Sequence, residues 1–89
     1  MAQMSLRIVN EKGLHARASA RFVEVVEGFD AGAQVTRDGM SVSGDSIMGL
    51  LLLAASRGTT IEVETSGPQA EALAEALTTL VADRFGEDR

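Results

Sequence analysis

Apolar residues along this chain switch between alternating and helical spacing, and the switches mark the elements. Met4 to Val9 reads as a first strand, and Glu11-Lys12-Gly13 as the turn that leaves it. From Ala16 the composition turns to helix formers. Phe22, Val25, Val26 and Phe29 stand at helical spacing, and Gly28 ends the helix, which is predicted over about 16–27. Ala33 to Arg37 alternates, Asp38-Gly39 is a two-residue hairpin signal, and Met40 to Ser43 returns as the partner strand. Gly44-Asp45-Ser46 opens a second helix, Ile47 to about Ala55, closed near Gly58. In Thr59 to Thr65, Ile61, Val63 and Thr65 share one face while Glu62 and Glu64 share the other. Gly67-Pro68 starts a last helix, with proline in its first turn. Leu73, Leu77, Leu80 and Val81 form its inward stripe, with Arg84 at the edge. The tail, Gly86 to Arg89, is expected to fray. The order β-α-β-β-α-β-α, with a hairpin inside it, predicts an α+β fold whose antiparallel sheet carries helices on one face.

The only histidine, His15, falls at the seam between the first turn and the first helix. Unpaired backbone N–H groups and the positive end of the helix dipole face outward at such a place, which suits an anion. The dipole disfavours imidazolium by roughly 0.3–1 kcal/mol, keeping the ring neutral and nucleophilic, and it attracts the charge of a phosphoryl group once one is attached. Ala16, Ala18, Ser19 and Ala20 leave the helix start bare, with Arg17 and Arg21 on hand. The plainer reading makes His15 a polar cap contributing about 1 kcal/mol and nothing else.

Composition narrows the chemistry. Residues 1–89 make one domain, marginal in core size but able to fold if two layers pack well. Without cysteine, disulfides, zinc-thiolate sites and cysteine nucleophiles are excluded, and a lone histidine excludes a multi-histidine metal centre. No metal and no cofactor is expected. Thirteen acidic against eight basic residues give a net charge of −5, and no basic run is present, so nucleic acid is not an expected partner. Ile47 to Ala55 is too short to cross a bilayer, and Met1-Ala2-Gln3-Met4 lacks the plan of a signal peptide. A cytoplasmic protein that touches no membrane is the default.

Two further features carry chemistry. Ser46 is a helix cap, and a phosphoryl group added there would be stabilised by the helix start and would alter partner contacts. Ile47 to Ala55 is apolar all round, and a two-layer domain this small cannot cover it. Part of it should stand exposed as a docking surface. Gly49 implies close approach of another element or a partner.

Taken together, the whole chain resembles the HPr family, the histidine-containing phosphocarrier proteins of the bacterial phosphoenolpyruvate-dependent phosphotransferase system. Gly13-Leu14-His15-Ala16-Arg17 is similar to the family's active-site motif, and Ser46-Ile47-Met48-Gly49 to its regulatory-serine motif, at the family's separation. The resemblance implies an open-faced β-sandwich, a four-stranded antiparallel sheet covered on one face by three helices. It implies that His15 accepts a phosphoryl group through Nδ1 from phosphorylated enzyme I and passes it to enzyme IIA domains. Arg17 would steady the phosphate, and Ser46 would be the target of an ATP-dependent HPr kinase/phosphorylase. Ile47, Met48 and Leu51 would lie on the surface that meets these partners. Such a protein is a monomeric carrier and not an enzyme.

Three positions depart from the family pattern. Ala18 stands where many members have proline, and Asp45 where many have lysine, which puts a like charge beside any phosphoserine. Leu50 to Leu53 is also unusually apolar. The Ala18-Ser19 pair resembles members of a nitrogen-related regulatory branch. Two rival classes remain open from the residues themselves. One is a binding module with a purely structural His15. The other is a small enzyme, for which no general base or metal set is in sight.

Overall fold

The computed structural model describes residues 1–89. Strands β1 (Ala2–Arg7), β2 (Gly32–Arg37), β3 (Met40–Ser43) and β4 (Thr60–Ser66) form one antiparallel sheet in the order β1-β4-β2-β3. Helices α1 (Ala16–Glu27), α2 (Ile47–Leu52) and α3 (Ala70–Ala82) cover one face of it. The α+β arrangement and element order are those expected from the apolar pattern.

Strand periodicity sorts the sheet's two faces. In the register Leu6↔Ile61, Met4↔Val63 and Val35↔Val63, apolar partners stack on the helix side, and Leu6, Ile61, Val63 and Val35 are buried there. The opposite face stays polar. Gln3 Nε2 donates to Glu64 at 2.5 Å and Ser5 Oγ to Glu62 at 2.6 Å, across the pairs that the register sets opposite each other. Helix α1 buries Ala18, Ser19, Phe22, Val23 and Val26, and α3 buries Ala70, Leu73, Ala74, Leu77 and Val81. These helical stripes close the core over the sheet. The hairpin turn has φ of 51° at Asp38 and 81° at Gly39, the paired left-handed geometry of a type I′ turn.

Several boundaries move. Strand β1 begins at Ala2, because its first residues pair with the far end of β4 through Ala2↔Thr65. Helix α2 stops at Leu52. Leu53 caps it, Ala54 turns left-handed at φ 51°, and this brings Ala55 back into the core. Pro68 lies ahead of α3, which starts at Ala70. The chain there is clamped to the end of α1 by Gln69, whose backbone N–H donates to Asp30 O at 3.0 Å while its Oε1 accepts from Asp30 N at 2.6 Å.

The largest difference is the tail, which is docked where fraying was expected. Arg84 lies beyond α3 in a short 3₁₀ turn, Arg84–Gly86, and is not on the helix edge. Arg84, Phe85 and Gly86 adopt left-handed φ values of 55°, 56° and 79°, and Phe85 is driven fully into the core. The two non-glycine residues among them, Arg84 and Phe85, each cost about 1–3 kcal/mol when held left-handed, which burial of Phe85 offsets in part. Burying a phenylalanine side chain returns roughly 1.5–3 kcal/mol.

Candidate functional site

The segment that presents His15 is fixed from both sides. Leaving β1, Ile8 is buried and still pairs, donating to Thr59 O at 2.9 Å and accepting from Gly58 N at 2.8 Å. Asn10 follows, fully buried, with Nδ2 donating to Gly13 O at 2.8 Å. Gly13 has φ +67°, and a Cβ added there would sit 2.6 Å from Ala55 O. Glycine is therefore required both for the turn and for the close approach. Next to it, the Leu14 N–H donates to the same Ala55 carbonyl at 2.8 Å. The residue after Leu14 then caps α1.

His15 is the N-cap of α1, with extended backbone (φ −79°, ψ −176°) and a carbonyl that accepts from Ser19 N at 2.8 Å. The side chain caps as well: Nδ1 accepts from the Arg17 backbone N–H at 3.3 Å. An imidazole nitrogen thus occupies the place usually taken by a hydroxyl or carboxylate oxygen. Because that nitrogen accepts from an N–H, it carries a lone pair and no proton in this arrangement. The ring keeps 28% of its surface exposed.

On the ring's other side, Nε2 pairs with a carboxylate oxygen of Glu87. The second Glu87 oxygen accepts from Asn10 Nδ2 at 3.0 Å, so one amide ties the turn to the tail. Asn10 Oδ1 is buried without a partner. Burial works to raise the Glu87 pKa. The hydrogen bonds from Asn10 and His15 and nearby positive charge, Lys12 included, outweigh it, and the carboxyl titrates below its ordinary value.

A cleft of about 610 Å³ opens next to Arg17 and Glu87, the two residues bonded to the ring, without His15 itself in its lining. Arg17 and Arg21 from α1, Lys12 from the turn and Arg89 from the tail line it, against the carboxylates of Glu11, Glu87 and Asp88. Four cations against three anions make this patch locally positive on a chain whose net charge is −5. Arg17 and Arg21 therefore do share one face, as their spacing suggests. No group of three or more histidine, cysteine or acidic side chains is arranged to hold a metal ion.

The second candidate region lies on α2. Ser46 is its N-cap, with Oγ accepting from Gly49 N at 3.0 Å. Asp45 is occupied with Ser43, whose Oγ donates to it at 2.5 Å. Gly49 meets β3: a Cβ there would lie 2.9 Å from the Val42 Cβ, so the close neighbour is an element of this chain. Leu50 and Leu53 are buried, Leu51 is half-buried, and Ile47 and Met48 are exposed. Leu52, 66% exposed and not singled out by the sequence, belongs to the same patch. Asn10 and Glu87 also went unnoticed, since a polar residue after a strand and an acidic tail are too common to signal a site.

The imidazole nitrogen turned to the first amides of α1 stands where an anionic group can be held. The class of protein comes from comparison with known proteins. Residues 2–83 match the family model described as "PTS HPr component phosphorylation site". The chain is 42% identical to phosphocarrier protein HPr of Cupriavidus necator over 98% of both chains. Among solved structures it is similar to HPr-C-His from Thermoanaerobacter tengcongensis, with a TM-score of 0.94, 34% identity and full coverage of both chains. An HPr dimer from the same organism matches with a TM-score of 0.77 at 34% identity, over 98% of this chain and 100% of that one. This chain belongs to the HPr family of phosphocarrier proteins of the phosphotransferase system. Its members carry a phosphoryl group and are not enzymes. No helix is long and apolar enough to cross a membrane.

Proposed function

We propose that this protein accepts a phosphoryl group on Nδ1 of His15 from phosphorylated enzyme I and delivers it to enzyme IIA domains, working as a monomer in the cytoplasm. The observation that carries the reading is the ring's orientation: Nδ1 bears its lone pair toward the first amides of α1. In the transfer that lone pair forms the new N–P bond, the donor's N–P bond breaks, and the bonding electrons return to the donor. The incoming phosphoryl oxygens replace Nδ1 as acceptor for the Arg17 amide, where the helix dipole favours their charge. The exposed Arg17 guanidinium steadies them without enclosing them. Such transfer relies on positioning and charge neutralisation, so the partner proteins complete the transition-state environment.

Docking falls to the apolar patch of α2: Ile47, Met48 and Leu51, with Leu52 added. Ser46, at its rim, is the regulatory position for an HPr kinase/phosphorylase, with Asp45 opposing the added charge. The test is a pulse and chase with phosphoenolpyruvate, catalytic enzyme I and then candidate IIA domains from the sugar-transport and nitrogen-related branches. Label should enter this chain and leave to one of them. Arg17→Glu should slow both steps more than tenfold while the melting temperature stays within a few degrees, since surface changes are worth about 0.5 kcal/mol or less. Label that enters and never leaves would contradict a carrier role. Parallel losses of transfer and stability in Arg17→Glu would remove its assigned part.

A further inference from the structure

We propose that Glu87 is a positioning residue for the transfer: its carboxylate orients the His15 ring and then serves as counter-ion to the phosphorylated ring, with Asn10 holding the carboxylate in place. This rests on the reading of His15 as acceptor. Two contacts fix the ring's tautomer. Nδ1 accepts from the Arg17 amide and so bears no proton, while Nε2 faces a carboxylate that can only accept and so bears one.

The charge follows from that assignment. When the Nδ1 lone pair bonds to phosphorus, the Nε2 proton stays, and the ring becomes a phospho-imidazolium with one more positive charge. Glu87 stands against that charge. A protonated ring is a better leaving group than a neutral one, so keeping the proton on Nε2 keeps the phosphoryl group transferable. Were the proton to pass fully to Glu87, the ring would be neutral and the N–P bond more inert. The lowered pKa of Glu87, set against its burial by Asn10, His15 and Lys12, makes it a poor base and opposes that loss.

The tail's backbone supplies an independent observation. Arg84, Phe85 and Gly86 are consecutively left-handed, immediately before Glu87. Such strain persists only where surrounding contacts over-determine it. Here those contacts are the buried Phe85 ring and the Asn10–Glu87–His15 chain of hydrogen bonds. Other charges face the group as well: Glu11 and Lys12 in the turn, Arg17 and Arg21 on α1, and Asp88 and Arg89 in the tail. Of these charged side chains the Glu87 carboxylate is the one hydrogen-bonded to the ring, while Arg17 meets it through its backbone N–H.

Glu87→Gln separates charge from shape, because the amide keeps an oxygen that can accept from Nε2. The protein is labelled with ¹⁵N and phosphorylated by enzyme I, and the His15 ring nitrogens are followed by long-range ¹H–¹⁵N NMR at neutral pH. In wild type, Nε2 of the phosphorylated ring should show the protonated signature; in Glu87→Gln it should move toward the unprotonated one. The maximal rate of transfer to IIA should fall about tenfold, as expected when a charge-assisted hydrogen bond is replaced by a neutral one. The KM for IIA should stay unchanged. A labelled His15 with the same Nε2 signature and rate in both proteins overturns this proposal and leaves the acceptor reading intact. A loss confined to KM also overturns it, by making Glu87 a docking residue. Wild-type protein that takes no label at His15 overturns both readings.

Discussion

Replacing Gly13 by alanine is the sharpest probe of how this fold holds its histidine. The left-handed backbone at Gly13 penalises an L side chain by about 1–2 kcal/mol. The added Cβ also falls 2.6 Å from Ala55 O and 2.9 Å from the Ser56 Cα, distances that force backbone to move. The atom displaced is the carbonyl that accepts from Leu14 N, so that hydrogen bond is lost too, at about 1 kcal/mol. Together these amount to about 2–3 kcal/mol. In a domain of this size each kcal/mol moves the melting temperature by about 4–8 °C. Gly13→Ala should therefore melt roughly 10–20 °C lower by circular dichroism. Gly39→Ala is the control: its φ is also left-handed, but a Cβ there meets nothing within 4 Å, leaving strain alone. Its loss should be about half as large. At a temperature where both variants are folded, Gly13→Ala should also transfer phosphate more slowly, because Leu14 and His15 move with the turn. If the two variants melt together and transfer equally well, the Gly13–Ala55 contact is not what positions the histidine.

Phe85→Ala removes a fully buried ring and should lower stability by about 3–5 kcal/mol in urea denaturation; a loss under 1 kcal/mol would mean that the tail is not part of the core. Glu87 has a depressed pKa in the folded state, so its contribution is full above the ordinary value of 4.5 and fades as pH falls through the folded value. Wild type should therefore exceed Glu87→Gln in stability at neutral pH, with the gap closing in acid; a gap constant with pH would refute that linkage. Met48→Glu changes a side chain that is 68% exposed, so it should leave stability within about 0.5 kcal/mol while weakening partner binding measured by calorimetry. Unchanged binding would take Met48 out of the docking patch.

Where local chemistry decided the outcome, the sequence was readable. Alternation in Ile61, Val63 and Thr65 sets the faces of β4, Asp38-Gly39 builds the turn between β2 and β3, and His15 falls at the start of a helix. Where a distant partner decided it, no local signal existed. Helix α2 ends early because Ala55 is needed in the core and against Leu14, which lies some forty residues away. Helix α3 starts late because Gln69 is bonded to Asp30. The acidic tail looked like a solvated end because polar residues dominate it. Only Phe85 hinted otherwise, and its burial needs a left-handed backbone that composition does not announce. Half of the ring's environment was legible in this way: the amides of α1 lie next to His15 in sequence, whereas Asn10 and Glu87 reach it through folding.

The central claim is that His15 holds the phosphoryl group. Intact-mass analysis and peptide mapping after incubation with phosphoenolpyruvate and enzyme I address it most directly. Wild type should gain one phosphoryl group, labile in acid and stable in base, on the peptide bearing His15, and His15→Ala should gain none. A folded His15→Ala variant that still takes up an acid-labile group would contradict the account.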